Sequence, residues 1–87
     1  MKQLIIKLET IFAQPISRSQ AREVLKEAGA FEALVIDYEH IALVGQAFAD
    51  EVYRVFQRAH PVITIENQNM GKEARFMVQR AINEAKK

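Results

Sequence analysis

The 87-residue chain has no cysteine, which removes disulfide scaffolds, thiolate zinc sites and thiol nucleophiles from consideration. It also lacks an excess of either charge. Twelve Lys and Arg stand against eleven Asp and Glu, a net charge of +1, and the two signs alternate along the chain. Such a balance gives no field suited to a phosphate backbone, so nucleic acid is not expected as a partner. Long apolar runs are missing too. MKQLIIKLET is interrupted by Lys7 and Glu9, and no stretch approaches a signal-peptide core or a membrane span, so the expected location is the cytoplasm and no membrane partner is expected. Hydroxyl side chains are scarce as well: Thr10, Ser17, Ser19 and Thr64 are the whole set of Ser and Thr. Ser17 and Ser19 have no recognisable elbow or partnering base, so no enzyme is expected. His40 and His60 fall in different loops without further ligands at metal spacing, and neither a metal nor a cofactor is expected.

What is present organises around Ala33 to Ala59. Ala33, Leu34, Val35 and Ile36 form a run with β-branched members closed by Asp37, the pattern of a strand covered on both faces. After an acidic loop to Val44 the period changes. Phe48, Val52, Val55, Phe56 and Ala59 mark one stripe of a helix reaching about His60, with Asp50, Glu51, Arg54 and Arg58 opposite, and Pro61 stops it. Leu4, Ile6 and Leu8 alternate with Ile5, Lys7 and Glu9, predicting an edge strand. Thr10 to Ile16 is a connector whose Ile11 and Phe12 need cover under the first helix. That helix starts at a Ser17 or Ser19 cap, buries Ala21, Val24, Leu25 and Ala28, and ends at Gly29. Val62 to Ile65 predicts a third strand and Glu66 to Gly71 a loop of turn formers. From Lys72 onward Ala74, Met77, Val78, Ala81, Ile82 and Ala85 give a last amphipathic helix, with Phe76 off its stripe.

The order is βαβαβα in a single domain, 1–87. The expected fold class is α/β, a small three-stranded, or four-stranded, mostly parallel sheet with three helices. Handedness puts the first two helices on one face of a sheet ordered 1-2-3. The apolar residues on both sides of strands 2 and 3, with Ile5 and Phe76, then predict a surface for a homodimer. A first helix followed by a glycine turn has the look of helix-turn-helix, but ALVIDY supplies a strand where a recognition helix belongs.

Three segments, ISRSQAR (Ile16 to Arg22), VIDYEHIALVGQAFADEVYRVF (Val35 to Phe56) and IENQN (Ile65 to Asn69), resemble the STAS-like family of small bacterial domains, shortened relatives of STAS domains such as the anti-sigma factor antagonists. The resemblance implies a regulatory protein-interaction module, with a histidine-kinase-type ATPase as the class of partner. In the antagonists a Ser at the start of the helix after this strand is phosphorylated. That position falls here at Gln46, between Gly45 and Ala47, so the switch is not expected to operate.

Two sets of residues are candidates for a site. Asp37, Gln46, Asp50, Asn67 and Asn69 could converge above the carboxyl ends of the strands and hold a small ligand, a nucleotide or a partner's side chain. The structural reading, which the sequence favours, has Asp37 cap a loop, Asp50 favour the helix dipole and the asparagines fill turns. Arg18 and Arg22, one turn apart, could pair with a carboxylate such as Asp37 or bind an anion.

Overall fold

The computed structural model describes residues 2–86. Three strands, β1 (Gln3–Lys7), β2 (Ala33–Asp37) and β3 (Thr64–Gln68), form one all-parallel sheet in the order β1-β2-β3. The helices are α1 (Arg18–Leu25), the central α2 and α3 (Lys72–Ala85). α2 is continuous but not uniform: an α-helical turn (Gln46–Asp50) leads into a π-helical stretch (Glu51–Phe56) and a closing α-helical turn (Gln57–Ala59). The α/β class, the three parallel strands and the three helices are as the sequence pattern predicts.

β2 fills the middle because its five residues pair on both sides, with Leu34 between Leu4 and Ile65 and Ile36 between Ile6 and Asn67. Leu34 and Ile36 point into the core, where Phe48, Val52 and Phe56 of α2 are buried with them as the stripe predicts. α2 lies between α1 and α3, and α3 presents Ala74, Val78 and Ala81 to the core.

Several boundaries differ from the sequence pattern, each for a tertiary reason. β3 is not Val62 to Ile65. Parallel pairing against the whole of β2 carries it from Thr64 through Gln68, so Glu66, Asn67 and Gln68 are strand rather than loop, while Val62, at 90 % exposure, lies in the turn before it. β1 ends at Lys7, where the chain tightens into a 3₁₀ turn (Leu8–Thr10) that buries Leu8. α1 ends at Leu25, well before Gly29, which sits in a second 3₁₀ turn (Ala28–Ala30) against the His60 ring. Phe12 finds cover edge-on against Phe48, centroids 6.4 Å apart, but Ile11 stays half exposed.

The π-helical stretch alters which residues of α2 are covered. Tyr53 is buried and Ala59 exposed; Glu51, expected on the wet side, stands where the stretch begins and is buried by its contact with α1. With i→i+5 bonding each residue turns through less than in an α-helix, so a stripe counted at 3.6 residues drifts.

α3 joins the other helices in one layer, and its contacts are with α2. The sheet face carrying Ile5, Ala33 and Val35 therefore has no helix on it. In β3 that face bears Thr64, Glu66 and Gln68, so it is less apolar than the Val62–Ile65 register predicts. No helix of the described residues is long and apolar enough to cross a membrane.

Candidate functional site

Apart from Gln46, the residues singled out by sequence fall into three separate groups. The first is a turn at the carboxyl end of β2. Asp37 is nearly buried, and one carboxylate oxygen accepts from the Glu39 backbone N–H at 2.9 Å and from Asn69 Nδ2 at 2.9 Å. The Asn69 bond first, and the Glu39 bond after it, hold its carboxyl below the usual aspartate range. Asn69 takes a left-handed φ of 57°, a conformation Asn tolerates, and so returns its amide to Asp37 across the sheet end. His40, at φ 64°, lies beyond the same turn. Its Nδ1 is 2.5 Å from Glu9 Oε2, an exposed ion pair that raises the imidazole's pKa.

The second group joins α1 to α2. Arg18 Nη1 donates to Asp50 at 2.8 Å and to Glu51 at 3.1 Å, Arg22 lies 3.5 Å from Glu51, and Arg54 binds both oxygens of Asp50 at 2.6 and 2.8 Å. The arginines thus find Asp50 and Glu51 rather than Asp37, and the pairing serves the helix contact. Arg54 foremost draws the Asp50 pKa down to about 2; burial opposes it, and Arg18 adds to the lowering. Glu51 is the member that sequence reasoning misplaced. Its burial beneath two arginines comes from the packing of α1 on α2, which leaves no signal in the local pattern.

The third group lies under α2. Tyr38 and Tyr53 share a 2.6 Å hydrogen bond between their hydroxyls, and Tyr53 donates in turn to Asn67 Oδ1. Because Tyr53 gives its proton to the amide, Tyr38 is the donor to Tyr53. Burial, partly offset by this bond, raises the Tyr38 pKa, and burial raises that of Tyr53 as well. Neither tyrosine stands out in the sequence, since each reads as one more aromatic beside an apolar run. Asn67 and Tyr53 open on a cleft of about 390 Å³ along the outer edge of β3, whose mouth carries Arg58 and Lys86 and whose walls include Ile65 and Ile82.

Gln46 belongs to none of these groups. It is exposed at the first position of α2, whose amino end is covered from above by the strap Gln14 to Ser17. Gln20 shapes the strap: its side-chain oxygen accepts from the N–H groups of Ile16 and Ser17, its amide reaches the Gln14 carbonyl, and Ser17 caps α1 in return. The strap then offers the Pro15 carbonyl to Gly45 N–H and the Ile16 carbonyl to Phe48 N–H. Ser17 and Ser19 hydroxyls bond each other at 3.1 Å, within this cap.

The largest exposed side chain of an apolar type on the helices is Phe76, 64 % exposed. It stands about 200° around the helix from Ala74 and Val78, at 100° per residue, and shares a shallow surface groove with Met70, Lys72, Arg75 and Arg80.

No protein-family model, curated protein or solved structure matches the chain.

Proposed function

We propose that the chain is a non-catalytic, STAS-like regulatory module that binds a protein partner through the outer face of α3. The observation that carries this reading is Phe76, an exposed aromatic in a groove whose lining holds three cations, Lys72, Arg75 and Arg80, against one acid, Glu84. Aromatic and Arg side chains together are the typical anchors of interface cores, and an excess of positive charge around one favours an acidic partner surface. The quoted segments supply the family reading, and with it a bacterial cytoplasmic setting and a histidine-kinase-type ATPase as the partner class. α2 is flanked by α1 and α3, which leaves the outer face of α3 the better candidate.

Affinity measurement against purified ATPase domains encoded near its gene tests the reading. The expected result is binding by the wild type that Phe76→Asp and Arg75→Glu each abolish without lowering the thermal midpoint. Binding unaffected by both substitutions would exclude this face.

A second reading, a small-ligand or nucleotide-binding domain, draws support from the β3 cleft, where the Tyr53–Asn67 pair meets the cationic mouth of Arg58 and Lys86. It would use that cleft rather than a convergence of Asp37, Gln46 and Asp50. A thermal-shift screen of anionic metabolites, with Asn67→Ala as control, separates the two.

A further inference from the structure

β1 is bonded to the sheet on one side only. The Lys2 carbonyl accepts from the N–H groups of Glu32 and Ala33, at 2.9 and 3.3 Å, so it faces β2. Backbone groups alternate sides along a strand, so Leu4 and Ile6 also face β2, while Gln3, Ile5 and Lys7 present theirs outward. The Thr10 hydroxyl donates to the Lys7 carbonyl at 2.7 Å, which closes the far end of this edge.

The middle of the edge is unguarded, its one charged residue being Lys7 at the end. There is no proline and no bulge along Gln3–Lys7, and Ile5, in the middle, is 60 % exposed. Beside it runs a groove of about 480 Å³ between β1 and α1, with Leu4, Ile6, Ile11 and Val24 among its lining. The opposite edge differs. Glu66 and Gln68 lie on β3, and Gln57 Nε2 binds the Ile63 carbonyl just before it.

The geometry points to a two-fold homodimer in which β1 pairs antiparallel with β1 of a second copy, centred on Ile5. A second copy is the fitting occupant because the strand is self-complementary. QLIIK is polar, apolar, apolar, apolar, polar read from either end. In the register that sets Ile5 opposite its symmetry mate, Gln3 lies opposite Lys7 of the second copy and Leu4 opposite Ile6. Ile5 falls on an outward-facing position, so the central pair exchanges both N–H to C=O bonds, and Lys7 N–H reaches the Gln3 carbonyl across the axis. Ile5 then extends the row Val35–Ile5 on the open face, while Leu4 and Ile6 continue the core row under the helices. The result is a closed, isologous contact and one continuous six-stranded sheet. This surface is distinct from the α3 face, so either proposal can fail alone.

Sedimentation equilibrium and cysteine cross-linking on the untagged full chain decide it. The chain has no native cysteine, so each introduced thiol reports one position. Wild type should reach a two-chain mass as concentration rises, and Ile5→Lys should stay at one chain with an unchanged circular dichroism spectrum. Oxidised Ile5→Cys should form a covalent dimer, because paired Cα atoms at a hydrogen-bonded position lie about 5.5 Å apart, within disulfide range. Gln3→Cys alone should not, since its mate is displaced by four residues, about 14 Å at the strand rise. Mixed with Lys7→Cys, it should. A one-chain mass for wild type at every concentration overturns the proposal, as does a dimer that survives Ile5→Lys or a failure of Ile5→Cys to cross-link.

Discussion

Gly45 lies directly beneath the backbone of Ile16: a Cβ at Gly45 would stand 2.3 Å from the Ile16 carbonyl oxygen and 2.6 Å from its Cα. This contact lets the strap cap α2, and only a residue without a side chain permits it, although the φ of −76° is ordinary. The obstacle is backbone, which cannot swing aside as a side chain would. Gly45→Ala should destabilise the fold by about 1–3 kcal/mol, the cost of overpacking. Urea denaturation measures it, and an unchanged midpoint would mean that the strap yields freely.

Acid should weaken the α1–α2 junction. Asp50 has a folded pKa of about 2 against an ordinary 3.8, so its contribution to stability is complete above the ordinary value and is lost as the pH falls toward 2. Arg18 and Arg54 are both partly exposed, so screening by water and salt keeps the effect modest. Thermal midpoints followed across that window should fall more steeply for wild type than for Asp50→Asn.

The buried hydroxyl chain predicts an asymmetry between two similar substitutions. Tyr53→Phe deprives both Tyr38 and Asn67 of a partner and should cost about 1–3 kcal/mol. Tyr38→Phe leaves the Tyr53 to Asn67 bond intact and should cost about 0.5–1.5 kcal/mol. Equal losses by chemical denaturation would show that the Tyr53 to Asn67 bond adds nothing to stability.

Phe56 packs its buried ring in the core and lies 4.5 Å, centroid to centroid, from His60. Phe56→Ala should cost about 3–5 kcal/mol, a large share of what a small domain possesses. Cooperative unfolding at the wild-type midpoint would show that this ring does not contribute as its burial implies.

The elements of this protein were legible in its sequence wherever a local period decides them. Leu34 and Ile36 mark a buried strand, Phe48, Val52 and Phe56 a buried helix face, and Ala74, Val78 and Ala81 another, because a side chain's direction follows from residue spacing alone. β1 was legible as an edge and Phe76 as exposed for the same reason. Of the candidate site, the sequence set Asp37 with Asn69, which do meet, but named Asp50, Arg18 and Arg22 without their partners. Pairing is set by the fold: Arg18 meets Asp50 and Glu51 across more than thirty residues, and no local pattern encodes such a distance. The extent of β3 was likewise decided by five positions of β2 waiting to be paired, which outweighed the turn preference of Glu66, Asn67 and Gln68. The shift of register within α2, which buries Tyr53, the cover that α1 gives Glu51, and the gathering of all three helices on one face belong to tertiary packing too. Spacing determines which way a side chain points, and only the packed chain determines what it meets there.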